Sequence, residues 1–344
     1  MKRSISGDEF YANKEAKLDL NNSGTNETSD HSDGNRITEN NNNNSSEVDE
    51  TTKAAQEKDQ VHDDDNHNHP HNSDPSNIIL EKGDIVFSYK PKLGVDEAAA
   101  LQDVQLFHVL LEPKEDFSSS TTTKTRLLRI GKKKLPSVEN KERFWGYVEK
   151  VGENIDEIVE DALESMTYNT VTQGQRQSKA DRIAGKGKYM MVRHDNRTNI
   201  AYVLEVPAEI GTVQKEFNIE KECTYTVAIK NPTTPNPSQL GLAREEKVIY
   251  PKELQEKFGQ LQWIPVEPKL LDYNGVEMIW IASSCDLEIE LGEVGKELED
   301  LAAETNITTE KDVLNELHLN ENEHPTQPLK DGEWPKTTLQ NKTD

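Results

Sequence analysis

The chain has 344 residues, a formal net charge of −24 and only two cysteines. Residues 1–77 contain 7 Lys and Arg against 17 Asp and Glu, a net charge of −10. Residues 78–285 contain 28 against 31, a net charge of −3, and residues 286–344 contain 5 against 16, a net charge of −11. A near-neutral centre between acidic ends argues against a binder of duplex nucleic acid, and two cysteines exclude a disulfide framework and a paired-cysteine metal knuckle. We expect Cys223 and Cys285 to be reduced thiols in or beside the core.

Residues 1–77 form a low-complexity segment rich in Asn, Asp, Ser and His. Such a composition buries too little apolar surface to offset chain entropy, so it predicts a disordered tail. The segment contains one run with metal-binding chemistry, in which the histidines are His62, His67, His69 and His71. Because no preformed geometry supports these side chains, we expect at most adventitious metal binding.

The apolar pattern begins at Ile78 and predicts a first α+β subdomain over residues 78–166. Alternating apolar residues favour a strand over Asp84–Lys92, and a spacing of three favours a helix over Val95–Phe107. Asn154 followed by Glu157 is typical of a helix start, and the apolar stripe after it predicts an amphipathic helix extending to Met166.

Residues 167–186 are polar and locally basic, which favours an exposed loop or linker. A second α+β subdomain is predicted over residues 187–285, with a central hairpin. Its first strand covers Tyr189–Val192, the turn formers lie in Asp195–Asn199, and the second strand ends before Pro207. The acidic tail, residues 286–344, has helical spacing of leucines and is expected to form transient, solvated helices.

Several short segments resemble a family of functionally uncharacterised bacterial and archaeal proteins over about residues 83–282. The segments are FWG at 144–146, YMMVRH at 189–194, AYVLE at 201–205, FNIE at 217–220, VAIKNP at 227–232, YPKELQ at 250–255 and LLDYNG at 270–275. The resemblance implies limits for the ordered part of the chain and carries over no activity.

Enzymatic chemistry has one candidate place, at the end of the central hairpin. His194 and Asp195 are candidates for acid–base catalysis on a small anionic substrate, which Arg193, Arg197 and Tyr202 would bind. Neighbouring residues of a strand tend to point to opposite faces, and Asp195 is also what a turn needs, which weakens this hypothesis.

Long predicted loops at 167–186 and 231–245, together with the acidic tails, favour instead a non-enzymatic binding or regulatory protein, with an unidentified ligand or protein partner and no cofactor. A second alternative is binding of single-stranded nucleic acid by a basic surface that joins Lys132–Lys134 to residues 176–197, with nucleic acid the less favoured partner. No secretory signal or membrane span is evident, so we expect a cytoplasmic protein without membrane attachment. The predicted fold class is α+β, mostly antiparallel sheet with a few packed helices.

Overall fold

A computed structural model describes residues 77–117, 123–170, 174–237 and 240–335, with only the backbone for residues 166–170 and 174–177. The predicted disordered tail, including His62, His67, His69 and His71, therefore lies outside the described residues apart from Asn77.

Eleven antiparallel strands are present in this part of the chain. They are β1 Asn77–Pro91, β2 Val104–Asp116, β3 Thr125–Ile130, β4 Arg143–Gly152, β5 Met166–Thr170, β6 Gly174–Ser178, β7 Arg182–His194, β8 Arg197–Val206, β9 Glu222–Lys230, β10 Trp263–Pro265 and β11 Glu277–Ser284. Strands β5 and β6 form a separate two-stranded ribbon.

The main sheet has the strand order β10-β9-β11-β4-β3-β2-β1-β7-β8. It closes on itself because β9 also pairs with β8, where Asn199 lies opposite Thr226 and Val203 opposite Glu222. Eight strands thus form a closed antiparallel barrel, and the short strand β10 extends the edge of β9 beyond the start of β8.

The predicted α+β class is therefore wrong: the protein is a closed eight-stranded antiparallel barrel with few, short helices. Strands β1 to β4 form one contiguous half of this barrel, and strands β7, β8, β9 and β11 form the other, so both groups share one closed sheet. Period-two alternation reveals a strand without revealing which strand it pairs with, so the closure of the sheet could not be read from the sequence.

Aromatic side chains fill the interior of the barrel. The fully buried ones include Phe87, Tyr89, Phe107, Tyr189, Tyr202, Tyr225 and Trp280. One end is plugged by Phe217, whose ring centroid lies 4.9 Å from that of Phe107 and 5.5 Å from that of Trp334. At the other end Arg126 bonds both oxygens of Glu81 at 2.8 Å and also bonds Asp272. An eight-stranded barrel is just wide enough for side chains to fill, so this interior is a packed core.

In the described ranges of the chain, seven short helices lie on the barrel or at its ends. They are α1 Ile155–Ile158, α2 Thr212–Glu216, α3 Lys252–Glu256, α4 Leu287–Leu291, α5 Glu293–Ala303, α6 Glu310–Glu316 and α7 Gln327–Lys330. The predicted start of α1 is confirmed, because the Asn154 side chain accepts a hydrogen bond from the Glu157 amide at 3.2 Å. A π-helical turn, Val159–Leu163, follows α1 directly.

Two groups of helices cover the outside of the barrel. Helices α1, α6 and α7 bury apolar side chains on the outward residues of β1, β2, β3, β7 and β8. Helices α4 and α5 do the same on β7 and β8, where Leu298 packs with Met190 and Val203. The leucines of the acidic C-terminal segment, predicted to form solvated helices, thus belong to packed helices.

Two further expectations fail for identifiable reasons. Residues Val104–Phe107, predicted as the end of a helix, belong to β2, because pairing with β1 outweighs local helical spacing. Cys223 and Cys285 form a disulfide bond rather than remaining reduced, since the β9–β11 register brings their Cα atoms to 4.0 Å.

Candidate binding face

One part of the barrel's outer surface differs from the rest. In the described part of the chain, neither helix-covered cluster includes an outward side chain of β4, β9, β10 or β11. We give the name open face to seven outward, partly exposed residues of these strands: Arg143, Trp145, Thr226, Ala228, Trp263, Ile279 and Ile281.

Strand register arranges the open face in two rows. Trp145 lies opposite Ile279, which lies opposite Ala228. In the next row Arg143 lies opposite Ile281, which lies opposite Thr226. Side chains opposite each other on one face of a sheet are in contact range, so an arginine lies directly beside an isoleucine that is 36 % exposed.

Two tryptophans meet on this face. The indoles of Trp145 and Trp263 have centroids 5.2 Å apart and an interplanar angle of 68°. Strands β11 and β9 separate them in the sheet, and the intervening outward residues, Ile279 and the small Ala228, leave room for the indoles to approach. The chain's other two tryptophans, Trp280 and Trp334, belong to the interior.

The loop after β9 borders the open face at one end, and buried polar contacts fix it there. Lys230 is 1 % exposed and donates to the carbonyl oxygens of Asn231 and Thr234, each at 3.1 Å. Its burial, together with the nearby Lys247, lowers the pKa of the Lys230 ammonium. Glu277 accepts hydrogen bonds from Asn236 at 2.7 Å and from the Leu242 amide at 2.5 Å.

Cations lie along the β4 side of the open face. Exposed Arg143 begins β4, and exposed Lys141 lies in the turn just before it. Exposed Lys132 belongs to a turn, Gly131–Lys133, that follows β3 beside β4. None of these three forms an ion pair with another described residue. On the far side Glu290 of α4 is occupied by hydrogen bonds, accepting from Ser283 at 2.7 Å and from Asn199 at 3.5 Å.

The predicted catalytic candidates lie elsewhere, at the β7–β8 hairpin. His194 Nδ1 is 2.6 Å from Asn77 Oδ1, and its Nε2 is 3.6 Å from Asp195 Oδ2. The two side chains approach because Asp195 has a left-handed backbone, with φ at 51°, which the strand-based argument did not foresee. Arg193 Nη2 is 3.5 Å from Glu267 Oε1.

The structure separates the other predicted ligand-binding residues. Exposed Arg197 lies at the hairpin, whereas Tyr202 points into the barrel with 1 % exposure. The structure also separates Lys132–Lys134 from Arg193 and Arg197: the lysines follow the end of β3, and the hairpin lies at the opposite end of the barrel, where β3 begins.

A buried ion cluster on the covered side of the barrel contains a histidine whose pKa is strongly raised. His108 Nδ1 lies 2.7 Å from Asp181 Oδ2, and its Nε2 lies 3.4 Å from Glu149 Oε2. Burial alone would lower the pKa of His108, but these two carboxylates outweigh it and raise the pKa to about 9. His108 is 1 % exposed, so this cluster is closed off from solvent.

Fold and site together define a closed antiparallel barrel with a packed interior and one aromatic, cation-bordered outer face. Searches against protein-family models, curated proteins and solved structures found no match. No group of His, Cys, Asp and Glu suited to hold a metal ion occurs among the described residues. Within the same residues, no helix is both long and apolar enough to traverse a membrane.

Proposed function

We propose that this protein is a non-enzymatic binding protein that takes a short protein segment on its open face. The segment would carry an aromatic side chain next to one or two carboxylates. The observation that carries this proposal is the pair of partly exposed tryptophans, Trp145 and Trp263, on a sheet surface left bare by the described helices.

The apolar part of the recognition is supported by residue type and position. Tryptophan and arginine are the residues most enriched among those that dominate binding energy in interfaces. On the open face Arg143 and the two tryptophans surround Ile279 and Ile281. An aromatic ring placed against the indoles would gain roughly 0.5–1.5 kcal/mol beyond its area burial.

The charge of the partner follows from the border of the face. Arg143, Lys141 and Lys132 have no ion-pair partner in the described part of the chain, so incoming carboxylates meet cations that are still available. A long polyanion would also meet the repulsion of a chain with net charge −24. A short segment with few charges avoids most of that repulsion, because salt screens exposed charges beyond about 10 Å. These charges favour an acidic peptide over nucleic acid.

The experiment uses tryptophan fluorescence, since Trp145 and Trp263 report on the face itself. The full chain is titrated with synthetic peptides that combine Asp and Glu with Phe or Tyr, with peptides in which Ser replaces the aromatic residues, with Lys-containing counterparts, and with oligo(dT). We expect saturable binding of the acidic aromatic peptide alone, loss of binding in Trp263→Ala, and at least fivefold weakening in Arg143→Glu.

The matched control is Ile249→Ala, which removes an apolar side chain that is 91 % exposed and lies outside the open face. It should bind the peptide as the unsubstituted chain does. If oligo(dT) binds more tightly than every peptide and needs Trp145 and Trp263, single-stranded nucleic acid is the correct partner class. If no probe binds, the proposal is wrong.

A further inference from the structure

We propose that the disulfide bond between Cys223 and Cys285 is a redox switch: when oxidised it holds helices α4 and α5 against the barrel, and when reduced it lets them detach. We call residues 286–303, which contain both helices, the cover. Detachment exposes an apolar strip on the outside of β7 and β8. This inference concerns the covered side of the barrel and is independent of the proposed binding at the open face.

The disulfide bond lies where the chain leaves the sheet and enters the cover. Cys223 is buried in β9, and Cys285 lies between β11 and Asp286, the residue that caps α4. The pairing of β11 with β9 ends at Ser284 opposite Thr224, one residue before the bond. The bond therefore ties the start of the cover to β9.

The two helices of the cover are packed tightly against each other. Gly295 of α5 faces the backbone of α4 so closely that a Cβ atom there would lie 2.4 Å from the Leu287 carbonyl oxygen. With 5 and 11 residues, α4 and α5 are too short to be stable as isolated helices. We therefore expect them to dock and detach together.

Apolar contacts favour the docked cover. The buried side chains of Leu287, Leu291 and Leu298 pack with Met190 and Val203 on the outward side of β7 and β8. After the cover the chain continues into α6, whose own apolar side chains pack on a different part of the barrel. The cover is thus anchored at both ends, by the disulfide bond at its start and by α6 after its end.

Electrostatic repulsion opposes docking. Residues 286–303 contain seven Asp and Glu against one Lys. Glu222 of β9 lies against the cover, where its carboxylate accepts a hydrogen bond from the Leu287 amide at 3.4 Å. Burial and the nearby carboxylates of Glu299 and Asp286 raise the pKa of Glu222. Docking therefore brings like charges together, and the disulfide bond beside Glu222 counteracts their repulsion.

Reduction needs an external dithiol, such as dithiothreitol or a dithiol oxidoreductase. Its thiolate attacks Sγ of the partly exposed Cys285, forms a mixed disulfide there and releases Cys223 as a thiolate, which takes a proton from water. The second thiol of the reductant then displaces the sulfur of Cys285, which also becomes a thiol. Two electrons pass to the protein, and the reductant becomes a disulfide. Oxidised glutathione reverses the reaction by the same exchange.

The test measures hydrogen exchange of the full chain by mass spectrometry, with and without dithiothreitol. After reduction we expect the amides of the cover to exchange about tenfold faster, while those of α6 and β1 keep their protection. Reoxidation with oxidised glutathione should restore the original protection. Fluorescence of anilinonaphthalene sulfonate should rise on reduction, because Met190 and Val203 become accessible to the dye.

Three variants sharpen the test. Cys285→Ser removes the bond, so its cover should exchange rapidly whether or not dithiothreitol is present. Glu299→Gln removes a carboxylate that faces Glu222 and should reduce the acceleration on reduction by about threefold. The matched control is Asp300→Asn, which changes the exposed neighbouring residue of α5 and should leave the acceleration as in the unsubstituted chain.

Each possible result decides the proposal. Equal protection of the cover in the oxidised and reduced chains would overturn it. Loss of protection throughout the barrel on reduction would make the bond a general stabiliser and would also overturn the switch. A bond that dithiothreitol does not reduce in the folded chain has the same consequence. If Cys285→Ser does not fold, reduction of the unsubstituted chain still gives the answer.

Discussion

The two sides of this barrel have opposite surfaces, although both are built from antiparallel strands. On the covered side, outward residues of β1, β2, β7 and β8 lie under helices, and charged groups there are sealed into ion clusters. On the open face, the partly exposed outward residues are aromatic, apolar or cationic apart from Thr226. The comparison suggests that the covered side supplies stability and the open face supplies binding, and three predictions address that division.

The largest effect is expected at a buried ion cluster on the covered side. Lys186 is fully buried, and its Nζ lies 3.2 Å from Glu205 and 3.0 Å from Glu316. Replacing it in Lys186→Met leaves Glu205 with only Lys188, at 3.9 Å, and should lower the free energy of unfolding by about 3–4 kcal/mol. Chemical denaturation measures this change.

The exposed Lys296 of α5 provides the control for that substitution. It contacts Glu288 at 3.1 Å on the surface, where solvent screens the pair, so Lys296→Met should leave the free energy of unfolding nearly unchanged. Equal losses in the two variants would show that burial of the cluster does not determine stability on this side.

The second prediction compares one apolar residue from each side. Leu298→Ala removes a fully buried side chain of α5 and should cost about 3 kcal/mol of unfolding free energy. Ile281→Ala on the open face should cost less than about 1 kcal/mol, because Ile281 is already 36 % exposed, while it weakens peptide binding. A larger stability loss for Ile281→Ala than for Leu298→Ala would contradict the division between the two sides.

The third prediction concerns pH and the His108 cluster. The groups facing His108 are Asp181, Glu149 and, through Asp181, Lys90 and Ser88. The folded pKa of about 9 exceeds the ordinary 6.5, so the stabilisation is complete below pH 6.5 and disappears as pH rises through 9. The expected loss is about 3 kcal/mol, measured by chemical denaturation at several pH values from roughly 6 to roughly 10.

In the matched variant, His108→Gln, this component of the pH dependence should be absent. A profile that still falls by the same amount between those limits would assign the loss to other groups. The exposed His318, which lies 2.6 Å from Asp156, is a suitable second control, and His318→Gln should leave the alkaline loss unchanged.

Local patterns predicted several elements correctly. The start of α1 at Asn154 follows from side-chain capping, which needs only residues a few positions apart. The central hairpin of β7 and β8 is also confirmed, because adjacent strands with turn formers between them pair without help from distant segments. At Val104–Phe107 the local pattern predicted a helix, but these residues form a strand because they pair with β1.

The candidate site could not be found in the same way. Trp145 and Trp263 are 118 positions apart in sequence, and only the register through β11 and β9 brings their rings to 5.2 Å. Conversely, Tyr202 and Arg197 are close in sequence, yet strand alternation and the barrel wall place Tyr202 inside. Proximity in sequence therefore pointed to the hairpin as the candidate site, whereas the geometry of the sheet favours the open face.

By itself the sequence determined the acidic ends, the limits of the patterned region, the strand character of most apolar runs and the polar caps of individual helices. These properties depend on composition and on interactions within a few residues. Only the tertiary structure decided four other properties: the closure of the barrel, the Cys223–Cys285 bond, the packing of the C-terminal helices and the lack of a helical cover on the open face. They depend on which distant strands pair, because pairing alone determines which side of each strand is covered and which side remains available to a partner.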